Sequence, residues 1–166
     1  MTMLGLFANL FSKKKTASTV QGQPTESELR YERYKQSQTD AEYLALSKSY
    51  FSTLEKLNSE WSVMYNLKDY NSTRGECFET MCAEQIDRFL KLVPKWQKYD
   101  GVVPNTSAFK HLAMLYERQG RIDDAACVCL KAIELGFEND GTKAGMRGRL
   151  ARLIRNGAAA EMPKDE

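Results

Sequence analysis

Residues 116–136 read YERQGRIDDAACVCLKAIELG, and their pattern decides the fold. Gly120 separates two helix-forming runs, and glycine reaches the left-handed conformation that ends a helix at little cost. Before it, Phe109, Leu112, Ala113, Leu115 and Tyr116 recur at helical spacing, with Thr106 as N-cap. After it, Asp123 or Asp124 favours a new helix start through the dipole. Ala125, Ala126, Cys129, Leu130, Ala132 and Ile133 then form an inner face. Small residues there let two antiparallel helices approach closely, so the stretch specifies an αα-hairpin with a tight turn.

Upstream, Tyr43, Tyr50, Leu54, Leu57, Trp61 and Met64 recur at steps of three, four or seven, and Leu44, Phe51 and Tyr65 widen the stripe. The spacing predicts an amphipathic helix of about 27 residues from Thr39 or Asp40, with Asn58-Ser59 as the place where it would break. Residues 71–75 (NSTRG) read as a turn. A second long helix follows, burying Phe78, Met81, Cys82, Ile86, Phe89, Leu90 and Val93, and Pro94 is expected to end or kink it. Thr25 and Glu28 have capping-box spacing ahead of Leu29, Tyr31 and Tyr34, a weakly amphipathic short helix. Downstream, Asp140-Gly-Thr-Lys143 opens a last helix running to about Asn156 and closed by Gly157.

The order aromatic, Leu-small, Tyr, Gly, Ala, medium apolar, Ala runs through 106–139. Here it is Phe109, Leu112-Ala113, Tyr116, Gly120, Ala125, Cys129 and Ala132, and it resembles a tetratricopeptide repeat (TPR). Ala113 fills the usual glycine place, and Phe137 stands near that of the terminal proline. The match covers about a fifth of the chain. A lone repeat cannot bury its apolar faces, so neighbours are required. Residues 40–67 and 73–98 would serve as a degenerate or merely repeat-like hairpin. The resemblance therefore implies an all-α fold, with antiparallel helical hairpins in a short TPR-like array and a C-terminal capping helix. The expected layout is a flexible tail at 1–24 with a short amphipathic segment, a helical domain at 25–157, and a disordered tail at 158–166.

The composition is consistent with this. Of 166 residues only 10 are Gly and 4 Pro, favouring helices over a turn-rich β fold, and 42% are hydrophobic, enough for a core. Lys and Arg number 24 against 22 Asp and Glu, so no global charge draws the chain to nucleic acid or membrane. The apolar start (Met3, Leu4, Leu6, Phe7, Leu10, Phe11) precedes Lys13, Lys14 and Lys15, the reverse of a secretory signal. It is also shorter than the roughly 20 apolar residues that span a bilayer. A cytoplasmic location with reduced thiols is the expectation.

Chemistry candidates are few. Cys127 and Cys129 are about 200° apart on a helix and face opposite sides, so they do not chelate one ion together. Cys77 and Cys82 lack metal-ligand spacing, and the single histidine, His111, lies on another helix. No phosphate-binding glycine loop or nucleophile signature is present. No cofactor, metal or catalytic residue is assigned, and the reading is a non-enzymatic adaptor that binds a peptide or partner protein. The resemblance places that contact on the first helix of the repeat, at Lys110, Met114 and Arg118. Of the family's carboxylate-clamp set only Lys110 matches. The first alternative is a nucleic-acid accessory protein. Lys143, Arg147, Arg149, Arg152 and Arg155 fan around a last helix whose apolar face is Met146, Leu150, Leu153 and Ile154, with no acid in 141–157. The blander explanation is a solvated face with arginines suited to a helix C-terminus. The second alternative is a membrane-surface adaptor tethered by residues 3–15. Exposed array ends also allow a homodimer.

Overall fold

The computed structural model of the chain describes residues 23–163, so the amphipathic segment at 3–11 and the lysines after it lie outside the described residues. The described residues form six α-helices and no strand: α1 (Glu26–Thr39), α2 (Ala41–Leu67), α3 (Thr73–Tyr99), α4 (Ala108–Gln119), α5 (Ile122–Glu134) and α6 (Gly145–Arg155). The fold is all-α, and from α2 onward each helix packs chiefly on its neighbours in sequence. Side-chain pairs give the directions. Asp40, at the start of α2, accepts from Lys95 and Tyr99 near the end of α3. Glu60, near the end of α2, pairs with Arg74 at the start of α3. Phe109 at the start of α4 stacks on Phe137 just past α5, ring centres 6.3 Å apart. Asp123 at the start of α5 accepts from the Ala159 N–H just past α6. The chain is thus a run of antiparallel hairpins.

Local signals account for most boundaries. Thr25 and Glu28 make a reciprocal capping box on α1. Leu29, Tyr31 and Tyr34 are all exposed, however, and Ser37 is the only buried residue of that helix. Asp40 caps α2 through the Tyr43 N–H at 2.9 Å. α2 runs unbroken through Asn58-Ser59 and ends at Lys68, which adopts the left-handed conformation with φ 56°. Its buried residues are Tyr50, Leu57, Trp61 and Met64. Leu44, Phe51 and Tyr65, expected to widen the stripe, are exposed, because the turns of α2 bury only the side that meets α3 and α4.

The largest departure is at Pro94. It does not end α3, which continues to Tyr99. A proline inside a helix forfeits one backbone hydrogen bond and costs about 3 kcal/mol. The turn beyond it buries Trp96 and Tyr99 against Tyr50, Phe89 and Tyr43, and that apolar burial offsets the loss. The buried ridge of α3 is Phe78, Cys82, Gln85, Phe89, Leu92, Trp96 and Tyr99; Met81, Ile86, Leu90 and Val93 are only partly buried. Gln85 sits fully buried in that ridge and donates to the Tyr50 carbonyl at 2.9 Å.

The hairpin of α4 and α5 turns at Gly120, φ 76°. Thr106 precedes the first helical residue by two positions and accepts from the Ala108 N–H at 3.4 Å. Ser107 stands next to the helix but turns its hydroxyl to Asn58 on α2. At the far end, Ala158 is buried and Ala159 is hydrogen-bonded to Asp123, so the packed chain continues past 157 into what the sequence reads as tail.

Gly75 shows how tightly the first hairpin turns. A Cβ there would overlap the Tyr70 carbonyl, which is also the acceptor for Gln119 Nε2 at 2.8 Å. Helix propensity alone favours alanine over glycine by about 1 kcal/mol. The overlap reverses the sign: Gly75→Ala is expected to lower the unfolding free energy by about 2 kcal/mol in urea titrations. A stabilised variant would show that the turn yields freely.

Candidate functional site

Lys110, Met114 and Arg118 follow one another at four-residue steps and so form one row along α4. α6 lies beside that row. A Cβ on Gly141, in the loop leading to α6, would stand 3.8 Å from Lys110 Nζ. Two turns further along α4, Glu117 meets Arg149 and Arg152 of α6 at 2.7 Å and 2.6 Å. Between the two helices opens a cleft of about 380 Å³, lined by Met114, Glu117, Arg118, Arg149 and Arg152. The structure therefore brings Met114 and Arg118 of the expected contact row together with two arginines from the last helix. Lys110 stands one turn before Met114, half-buried.

The five cations around α6 do not share one environment. Arg149 is buried, 9% exposed, on the same side of α6 as Met146, Leu150 and Leu153. It pairs with Glu117 and, at 3.2 Å, with Asp140, whose side chain is 1% exposed. Burial raises the pKa of Asp140, but its bonds to Thr142 and Arg149 outweigh that and hold the carboxyl below its usual range. Arg152 donates to Glu117, and Arg147 to Glu138 at 2.8 Å. Lys143 and Arg155 are exposed and make no ion pair among the described residues. The fan of five solvated cations is thus corrected at Arg149, which belongs to the interior: it stands three residues after Met146 and four before Leu153, inside the apolar arc.

On the other side of the α4 row lies α2. The Arg118 guanidinium sits 5.9 Å from the centre of the Tyr65 ring, and Lys68 Nζ lies 4.7 Å from the same ring. Tyr65 reads as core in the sequence, so its place beside Arg118 was missed, as was Glu117. Tyr65 follows Asn58 by seven residues and so shares its side of α2, and Asn58 accepts from Ser107 at the start of α4; Glu117 stands three residues after Met114, beside the row.

A second, more apolar groove of about 440 Å³ lies where α3, α4 and α5 meet, with Ile86, Phe109, Leu112, Tyr116 and Val128 in its walls. At its end Glu79 accepts from the Tyr116 hydroxyl and from Arg121, which also covers the Tyr116 ring at 4.0 Å. Comparison with known protein families, curated proteins and solved structures returned no match. The site is therefore read from its own chemistry. Cys127 is exposed on the rim of the apolar groove, and Cys129 is buried on the opposite side of α5. Burial pushes the Cys129 thiol up to about 12 and the buried Cys82 thiol up as well, so neither carries the thiolate a nucleophile or metal ligand needs. Among the described residues no group of three or more His, Cys, Asp or Glu is placed to hold a metal ion. No helix among them is long and apolar enough to cross a membrane.

Proposed function

We propose that the chain is a non-enzymatic interaction module that holds a segment of a partner protein on the face made by α4 and its neighbours α2 and α6, in the manner of a TPR-like array. The observation that carries this is the cleft beside the Lys110, Met114 and Arg118 row. It is concave, has an apolar wall at Met114, and offers donors that the described residues leave unused. Arg118 and Lys110 make no ion pair among the described residues, although each stands on a rigid helix. A nucleic-acid role through α6 has less support, because Arg147, Arg149 and Arg152 already meet carboxylates of the chain.

Selection of random displayed peptides on the full-length chain tests this. Enriched peptides are expected, and their binding should be lost in the double variant Lys110→Glu, Arg118→Glu while its circular dichroism and unfolding midpoint stay near wild type. Repeated selection without enrichment would remove the proposal.

A further inference from the structure

We infer that the segment held on this face is acidic, its carboxylates taken by Arg118 and Arg152 beside Met114; this rests on the binding reading above. Three guanidinium groups line the cleft against a single carboxylate, Glu117. That carboxylate is shared between Arg149 and Arg152. Arg149 uses its two Nη atoms on Glu117 and buried Asp140 and faces the interior, its Nε buried without a partner among the described residues. Arg152 is different: only one of its Nη atoms bonds Glu117, and its side chain is 47% exposed. A guanidinium has five N–H donors in a planar fork, so most of those on Arg152 are open to a ligand.

Arg118 is the complementary half. It is exposed, makes no ion pair among the described residues, and lies against the Tyr65 ring. Lys68 on the same ring and Lys110 two turns earlier on the α4 row extend the positive face on both sides. Neither has an acidic partner among the described residues. Unpaired cations beside an apolar wall attract a carboxylate more strongly than the same groups on an open surface, because less water screens them. Arginine also matches a carboxylate with two parallel hydrogen bonds. The two forks belong to different helices, so the bound segment crosses from α4 to α6 instead of following either one. An apolar side chain of the segment packs on Met114. The ligand class is thus an acidic segment with at least two carboxylates and an apolar residue near them. Polynucleotide fits less well, since the Tyr65 ring beside the cleft is already covered by Lys68 and Arg118.

The peptides enriched on the full-length chain decide the matter. They are expected to carry two or more Asp or Glu, to lose affinity with added salt, and to bind weakly when synthesised with Asn and Gln in those places. In fluorescence anisotropy, Arg118→Glu and Arg152→Glu should each weaken an acidic peptide by about tenfold or more, whereas Lys131→Glu on α5 should not. Enrichment of neutral or basic peptides would overturn the acidic assignment while leaving the binding face standing. Failure to enrich any peptide would overturn both. Preference for an oligonucleotide over every selected peptide, lost in Arg118→Glu, would overturn the peptide assignment in favour of nucleic acid.

Discussion

Arg149→Met is expected to lower the unfolding free energy by about 3 kcal/mol, the penalty for leaving one member of a buried ion pair without its partner. Methionine keeps the volume on the apolar face of α6 but removes the donors that meet Glu117 and Asp140. Asp140 then remains 1% exposed with only Thr142 as partner. The double variant Arg149→Met, Asp140→Asn should recover most of the loss, since a neutral amide can keep an acceptor for Thr142 without a stranded charge. Arg152→Ala, at an exposed pair, should change stability by no more than about 1 kcal/mol. Urea titrations of the three variants decide it. Equal, small losses for Arg149 and Arg152 would mean that Arg149 is solvated. Replacing all the α6 arginines at once to test for nucleic-acid binding would therefore confound unfolding with lost contact. Lys143 and Arg155 are the clean positions for such a test.

The second large effect is a dependence on mild acid. His111 is buried between Trp61 of α2, whose ring it stacks on at 5.1 Å, and Phe78 of α3. Its Nδ1 has no hydrogen-bond partner. Burial, reinforced by the charges of Lys110 on α4 and Arg149 on α6, lowers its pKa from 6.5 to about 4. The unfolded chain therefore takes up the proton first. Stability is highest above pH 6.5 and falls as pH drops toward 4, by about 1.4 kcal/mol per unit and about 3 kcal/mol in all. Below that the loss from His111 is complete. Carboxylates held low in the fold, Asp40 at about 2 and Asp140, then contribute their own loss at more acid pH. In His111→Phe, which keeps the stack and has nothing to protonate, the window between 6.5 and 4 should become flat. An unchanged slope in that variant would assign the dependence to other groups.

Much of this architecture was legible because apolar period and turn chemistry act locally. Gly120 and the small residues after it specify the α4–α5 hairpin in sequence as they do in space. Of the two outcomes expected at Pro94, an end or a kink, the end does not occur, for the opposite reason. The local penalty is plain in the sequence, whereas the compensation depends on Tyr50 and Tyr43, more than 40 residues earlier, reaching Trp96 and Tyr99. The candidate site was half legible. Lys110, Met114 and Arg118 share a row by arithmetic, but the last helix was read as a cap bearing a basic strip, without its place beside that row. Arg149 could have been assigned inward from its spacing to Met146 and Leu153. Its partner Glu117 could not, since it is 32 residues away along the chain.

The succession of hairpins has a consequence for how the chain reaches this form. From α2 onward, each helix finds its main partner a short loop away, so few distant segments must meet before burial begins to reward them. Loop closures of that length lose little chain entropy, and such topologies order quickly. Ordering also propagates in one dimension, from hairpin to hairpin. The cleft, assembled from the fourth and last helices across an intervening one, is consequently completed only when α6 docks.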